Sequence, residues 1–271
     1  MPCVSSRIET LLDEGWEALE AGDEARAESL GRQVLDENPA SVEARLLIGR
    51  VLSGREDHAG ASAVLREAVA FEPGDLDARV ELGIALFNAC EFRQAEAELK
   101  TALDRSCHNP EAHYWMALCL ERRGDRAGAE KRFRQAQEMA PEEFGLPTRI
   151  SRRECETAVE EAIAQLPARF RSVLRNLSVQ IEDVPDEELL HQQDPPLDPL
   201  MLGFFEGEGV SGGSTFDVPE LPSRILIFQR NLERFCRDRE ELVTELVVTL
   251  RHEVGHYLGL EEDELADSGY E

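Results

Sequence analysis

The sequence is short of basic residues. Lys and Arg number 29 against 56 Asp and Glu, a formal net charge of −27 over 271 residues. Divided at residue 150, the first part carries 18 basic and 29 acidic residues and the remainder 11 and 27. Both parts repel polyanions, which argues against nucleic acid or an anionic membrane as partner and leaves proteins of neutral or basic character. Long apolar runs are missing too: no stretch approaches 18 consecutive apolar residues, so no membrane-spanning helix is expected. Residues 1–20 have no basic region followed by an apolar one, and no signal peptide is expected. Cys3, Cys90, Cys107, Cys119, Cys155 and Cys236 include no C-x-x-C pair. Read as reduced and mostly buried thiols, they point to the cytoplasm.

What is present falls into two regimes, and the length suits two domains with separate cores. The first 140 residues are repetitive. Pro39 and Pro73 lie 34 apart, each closing a pair of helical patterns. Aligned on them, one unit has Gly49, Ala61, Leu65 and Ala68; the next has Leu82-Gly83, Phe92, Ala95, Leu99 and Ala102. A further unit has Gly124-Asp125, Ala129, Phe133, Ala136 and Pro141. The first has Gly22-Asp23 and Ala27, but Gly31 where a large apolar residue is expected. Pro110 falls 37 after Pro73, so residues 106–109 are expected to form a longer loop. Small residues at fixed positions let the two helices of a hairpin approach, and larger ones interlock successive hairpins. Residues 7–141 resemble the tetratricopeptide repeat family, which implies about four helical hairpins in an all-α solenoid with a groove for a peptide or partner segment. A spacer or dimerisation role is the alternative. Tyr114 and Trp115 fit packing between hairpins better than groove contacts.

After Pro141 the period ends, and residues 142–150 read as a hinge. A helix is expected over 157–166, with Ala158, Ala162 and Leu166 on one stripe, and a short one over 168–176. Residues 177–182 alternate as a half-buried strand, 185–199 form an acidic, Pro-rich loop, and 202–207 form a second strand. Residues 210–223 read as a loop, and the span 207–222 either lids a cleft or is simply long. Residues 224–229 are the most apolar strand, either core or an edge to which an extended substrate adds. The last expected helix covers 237–258, with Asp238 in its first turn as a favourable N-terminal charge.

That helix ends in His252-Glu253-Val254-Gly255-His256-Tyr257-Leu258-Gly259-Leu260-Glu261-Glu262, an HExxHxxGxxE pattern. At about 100° per residue the two imidazoles lie roughly 40° apart on one face, where they can hold one Zn²⁺ at about 2.0–2.1 Å. Glu253 sits beside them to take a proton from a metal-bound water. Gly259 suits the helix stop, and the chain then turns back so that Glu262 can supply a third ligand, leaving a fourth position open for water. Leu242, Leu246, Leu250, Val254 and Leu258 share one broad side, with the histidines at its edge.

Leu166-Pro167, the strand 179–183, Leu202-Gly203-Phe204-Phe205-Glu206-Gly207, Arg224-Ile225-Leu226-Ile227-Phe228 and the motif itself together resemble the small bacterial zincin-like metallopeptidases sometimes called minigluzincins. The resemblance covers residues 151–271 and implies a small α+β zincin-like domain, one zinc and peptide-bond hydrolysis. That family usually has Asp where Glu262 stands, so Glu262 or Asp263 is the third ligand. It also gives a C-terminal tyrosine, here Tyr270, a place beside the metal; a frayed tail is the other reading. The expected protein is a zinc metallopeptidase whose repeats recruit or restrict a protein substrate. The alternative is a repeat-based adaptor with a catalytically silent zincin-like domain.

Overall fold

In the computed structural model, residues 4–175, 177–207, 223–258 and 260 are described. They form two units, Met1–Phe144 with His191–Leu197, and Gly145–Leu190 with Asp198–Glu271.

The first unit advances in steps of 34. It contains α1 (Val4–Glu20), α2 (Glu24–Glu37), α3 (Val42–Gly54), α4 (His58–Phe71), α5 (Leu76–Asn88), α6 (Phe92–Arg105), α7 (Pro110–Arg122) and α8 (Arg126–Met139). The starts of α3, α5 and α7 are 34 apart, as are those of α2, α4, α6 and α8. Capping chemistry recurs at the same interval. Ser41, Asp75 and Asn109 accept from the amides of Ala44, Ala78 and Ala112, fixing where the first helix of each hairpin begins. Asp23, Asp57 and Asp125 accept from the amides of Arg26, Gly60 and Gly128 and start the second helices; each such cap is worth about 0.5–2 kcal/mol. One residue earlier the chain turns through positive φ, at Gly22 (78°), Glu56 (62°), Cys90 (61°) and Gly124 (77°). Glycine relieves this conformation at two of the four places; Glu56 and Cys90 hold it with a side chain.

This spacing corrects the loop expected over 106–109. The three connections between hairpins, 38–41, 72–75 and 106–109, are equally long. Cys107 stands one repeat after Pro73, whereas Pro110 is the first residue of α7, where its missing N–H has no helical partner to lose.

The core repeats as well. Ala27, Ala61, Ala95 and Ala129 are fully buried, and Leu65, Leu99 and Phe133 fill the large position. At Gly31 the next hairpin supplies the missing volume: a Cβ there would lie 2.9 Å from Ile48 Cγ1. Tyr114 and Trp115 pack between aromatics, Trp115 against Phe87 of α5 (5.4 Å) and Tyr114 against Phe133 (5.5 Å) and Phe144 (5.2 Å). A row of buried cationic or polar residues, Arg45, Arg79 and His113, went unnoticed in the sequence. Each reaches back to a carbonyl in or beside the loop before its helix, Ser41 O, Pro73 O and Cys107 O, all at 3.0 Å. Arg45 also pairs with Glu67, and Arg79 with Glu98. His113 Nδ1 lies 3.1 Å from Arg132 Nη1, so Nδ1 accepts and Nε2 carries the proton toward Cys107. Burial is the chief force lowering the His113 pKa.

The second unit contains α9 (Arg152–Gln165), α10 (Ala168–Leu174), β1 (Ser178–Glu182), α11 (Glu187–Leu190), β2 (Gly203–Glu206), β3 (Arg224–Phe228), α12 (Gln229–Phe235) and α13 (Arg239–Tyr257). Its sheet has the order β1-β3-β2, with β1 parallel and β2 antiparallel to β3. β3 is therefore the central strand, with Ile225 and Ile227 fully buried, and the reading of 224–229 as a substrate edge is overturned. Both of its sides are occupied by neighbouring backbone. β1 and β2 are the outer strands. Ile225 and Ile227 face a core shared by Ala158 and Ala162 of α9, Phe170 of α10, and Leu242, Leu246, Leu250 and Val254 of α13. Leu258 lies beyond the last helical residue and is exposed, so it does not continue that stripe.

Two short helices were not expected. α11 lies inside the Pro-rich loop, capped by Asp186 through the Leu189 amide at 2.7 Å. α12 hides from hydrophobic periodicity because three residues of its buried face are polar: Gln229, Asn231 and Glu233. The Glu233 carboxylate accepts from Arg149 and Arg230 at 2.7 Å and from Gln229 at 2.8 Å. Thr148 donates from its backbone to Glu233 O and from its hydroxyl to Cys236 O. Thr148 is thereby tied to backbone carbonyls in and just after α12, and Arg149 to a buried carboxylate that two guanidinium groups neutralise.

Replacing Glu56 by Gly removes a side chain from the left-handed region and is expected to raise unfolding free energy by about 0.5–1 kcal/mol in denaturant titration. Because the folded-state pKa of His113 is depressed, its stabilising contribution is complete above the unfolded value of about 6.5. As pH falls below that value the unfolded chain takes up the proton first, and stability declines. Thermal unfolding followed between pH 7.5 and 5 should show this slope reduced in His113→Gln.

Candidate metal centre

The buried stripe of α13 dictates which residues remain for chemistry. With Leu242, Leu246, Leu250 and Val254 turned into the core, His252 and His256 come to the edge of that face, one turn apart and half-buried. Asp238 caps the other end of the helix, accepting from the Glu241 amide at 2.9 Å. The histidines thus stand at the negative end of a long helix dipole, where a cation is favoured.

His252 Nε2 and His256 Nε2 are 3.0 Å apart, with ring centroids 4.6 Å apart and planes at 83°. Two Zn–N bonds of about 2.0–2.1 Å at a tetrahedral angle hold their nitrogens about 3.3–3.4 Å apart. By separation alone the pair fits one ion with a few tenths of an ångström of adjustment. Glu253, between them in sequence, is only 6% exposed.

β2 lies along the same helix. Phe205 packs edge-on against Tyr257, with centroids 5.6 Å apart, and Gly203 lies against Thr249 and Glu253. These contacts were missed in the sequence, although a glycine inside a strand pattern is the usual mark of a close backbone approach.

Gly259, Glu262, Asp263 and Tyr270 lie outside the described residues, as does the loop over 208–222. Among the described residues no group of three or more His, Cys, Asp and Glu side chains is placed to hold a metal. Also among them, no helix is long and apolar enough to cross a membrane.

The zincin-like metallopeptidase family matches residues 174–270. Tetratricopeptide repeats match residues 12–78 and 80–144, and a second repeat family matches 52–106. The chain thus carries a tetratricopeptide repeat array followed by a zincin-like metallopeptidase domain. Similar solved structures include MamA, 23% identical, with a TM-score of 0.45 over 50% of this chain and 80% of that one. Another is YrrB, described as a TPR protein with an unusual peptide-binding site, 18% identical, with a TM-score of 0.43 over 51% of this chain and 75% of that one. A third is a thermophilic TPR protein of Thermus thermophilus, 20% identical, with a TM-score of 0.45 over 50% of this chain and 75% of that one. No curated protein matches the chain.

His252→Ala and His256→Ala each remove one of two converging donors. Each is expected to lower zinc affinity by more than the ~10–100-fold that loss of a merely supporting contact costs. Competition with a chromophoric chelator measures this, and unchanged affinity in either variant would contradict a shared ion.

Proposed function

We propose that this chain, a tetratricopeptide repeat array joined to a zincin-like metallopeptidase domain, is a zinc-dependent peptidase whose repeats recruit or restrict a protein substrate. The observation that carries the reading is the 3.0 Å approach of the His252 and His256 Nε2 atoms, with Glu253 on the same helical turn. In this reading residues 7–141 bind the partner, 142–150 connect, and 151–271 carry the chemistry. The free cysteines, of which Cys90, Cys119, Cys155 and Cys236 are buried, support a cytoplasmic setting; burial pushes the Cys119 and Cys236 thiols up to about 12.

Zn²⁺, when bound, would act as a Lewis acid toward a substrate carbonyl and make water a nucleophile at neutral pH. His252 and His256 would hold it through neutral imidazoles. Glu253 takes up the proton released as water attacks, and returns it to the leaving amine. Glu262, by its spacing in the motif, or Asp263 would complete the ligand set; the family resemblance puts Tyr270 beside the metal, where it would assist the developing oxyanion. The edge strand β2, which among the described residues pairs with β3 alone, is where an extended peptide would add beside α13.

Glu253→Gln is expected to retain about one zinc per chain and to lose at least about a hundredfold in cleavage of a mixed peptide library. Mass spectrometry of the digest provides the measurement. Equal, negligible cleavage by both proteins would turn the assignment toward an adaptor.

A further inference from the structure

On α13, Thr249, Glu253 and Tyr257 follow one another at single turns of the helix and face β2. Residues of one strand face lie over them. Phe205 covers Tyr257, and two positions earlier Gly203 covers Thr249 and Glu253. A Cβ built on Gly203 would stand 2.5 Å from Thr249 Cγ2, 3.3 Å from the Leu226 carbonyl oxygen and 3.5 Å from Glu253 Cγ. The first distance is shorter than side chains tolerate, so any other residue here requires the Thr249 side chain, the strand or the helix to shift. Gly203 is not among the positive-φ glycines. The missing side chain therefore supplies room, not conformational freedom. Glycine within a strand is otherwise unfavourable, since it loses more freedom on folding than any residue and leaves nothing to pack.

We propose that Gly203 is a positioning residue: by carrying no side chain it lets β2 close onto α13, so that Glu253 is held between strand and helix beside the His252–His256 pair. Three observations meet here. The catalytic candidate Glu253 is a buried carboxylate, 6% exposed, and its stem borders the space that a Cβ would enter. The obstructing atom is the methyl carbon of Thr249, one turn before Glu253 on the same face. Among the described residues the strand is an outer one, held by β3 on one side, so a push from Thr249 displaces it more readily than a central strand. Displacement would loosen the carboxylate while leaving the two imidazoles, which the core stripe of α13 orients, in place.

This inference rests on the peptidase reading above, and its test separates the two. The full-length chain is loaded with Co²⁺ in place of zinc, giving a visible band sensitive to groups around the ion. Gly203→Ala is expected to bind Co²⁺ with unchanged stoichiometry, to show a band displaced as in Glu253→Gln, and to cut kcat on a cleaved peptide by about tenfold to a hundredfold with KM within about twofold. Adding Thr249→Ser, which removes the obstructing methyl carbon, is expected to restore both. A Gly203→Ala protein with the unmodified band and kcat overturns the proposal even if it melts at lower temperature, and so does failure of Thr249→Ser to restore them. If no peptide is cleaved, the Co²⁺ band alone decides. Failure of the unmodified chain to bind Co²⁺ would instead overturn the metal-centre reading itself.

Discussion

Burial of one side of α13 is the constraint on which the second unit depends. Leu242, Leu246, Leu250 and Val254 pack with Ala158 and Ala162 of α9 and with Ile225 and Ile227 of the central strand. Burying four such side chains contributes on the order of 6–12 kcal/mol before entropy is charged. It fixes the rotation of the helix about its axis. Once that rotation is set, the positions of His252, Glu253 and His256 are no longer free. The two histidines occupy the half-buried border of that face, and the buried Glu253 lies against β2. The approach of the His252 and His256 rings is thus a by-product of core packing, and the same apolar contacts hold both.

The repeat array obeys a different rule. There the controlling quantity is the step of 34 residues, enforced by a side-chain cap at the start of most helices and by a positive-φ residue before each second helix. The buried row Arg45, Arg79 and His113 adds a polar tie at the same step, binding each first helix to the connection that precedes it. Carbonyls at the helix–loop junctions gain a side-chain donor in this way.

Sequence periodicity made much of this legible. The alanine rows and the large positions Leu65, Leu99 and Phe133 declared the hairpins, and the apolar spacing of α13 declared the face on which the two histidines would lie. It failed where polarity replaced apolarity. Arg45 and Arg79 are buried although no apolar pattern marks them, and α12 was invisible because Gln229, Asn231 and Glu233 line its inner face. Pro110 misled for another reason: proline closes a repeat at 39 and 73 but opens a helix at 110, and only the cap at Asn109 distinguishes the two. The apolar run 224–228 could not announce its place in the sheet, because a central strand and an apolar edge strand look alike until their partners are known. The side chains of Glu253 and Thr249 meet a strand some fifty residues earlier, a contact that no local pattern encodes.

The ionic contacts of the array have a bearing on how it comes apart. Arg55 reaches Glu24 and Glu28, Arg50 reaches Glu81, Arg66 reaches Glu91, and Arg123 reaches Glu96, each spanning no further than the adjoining hairpin. Strain applied at one end of such a ladder is borne by the next rung and is not passed along its length. Opening therefore proceeds hairpin by hairpin, like a zip, and a terminal pair of helices can fray while its distant neighbours stay folded.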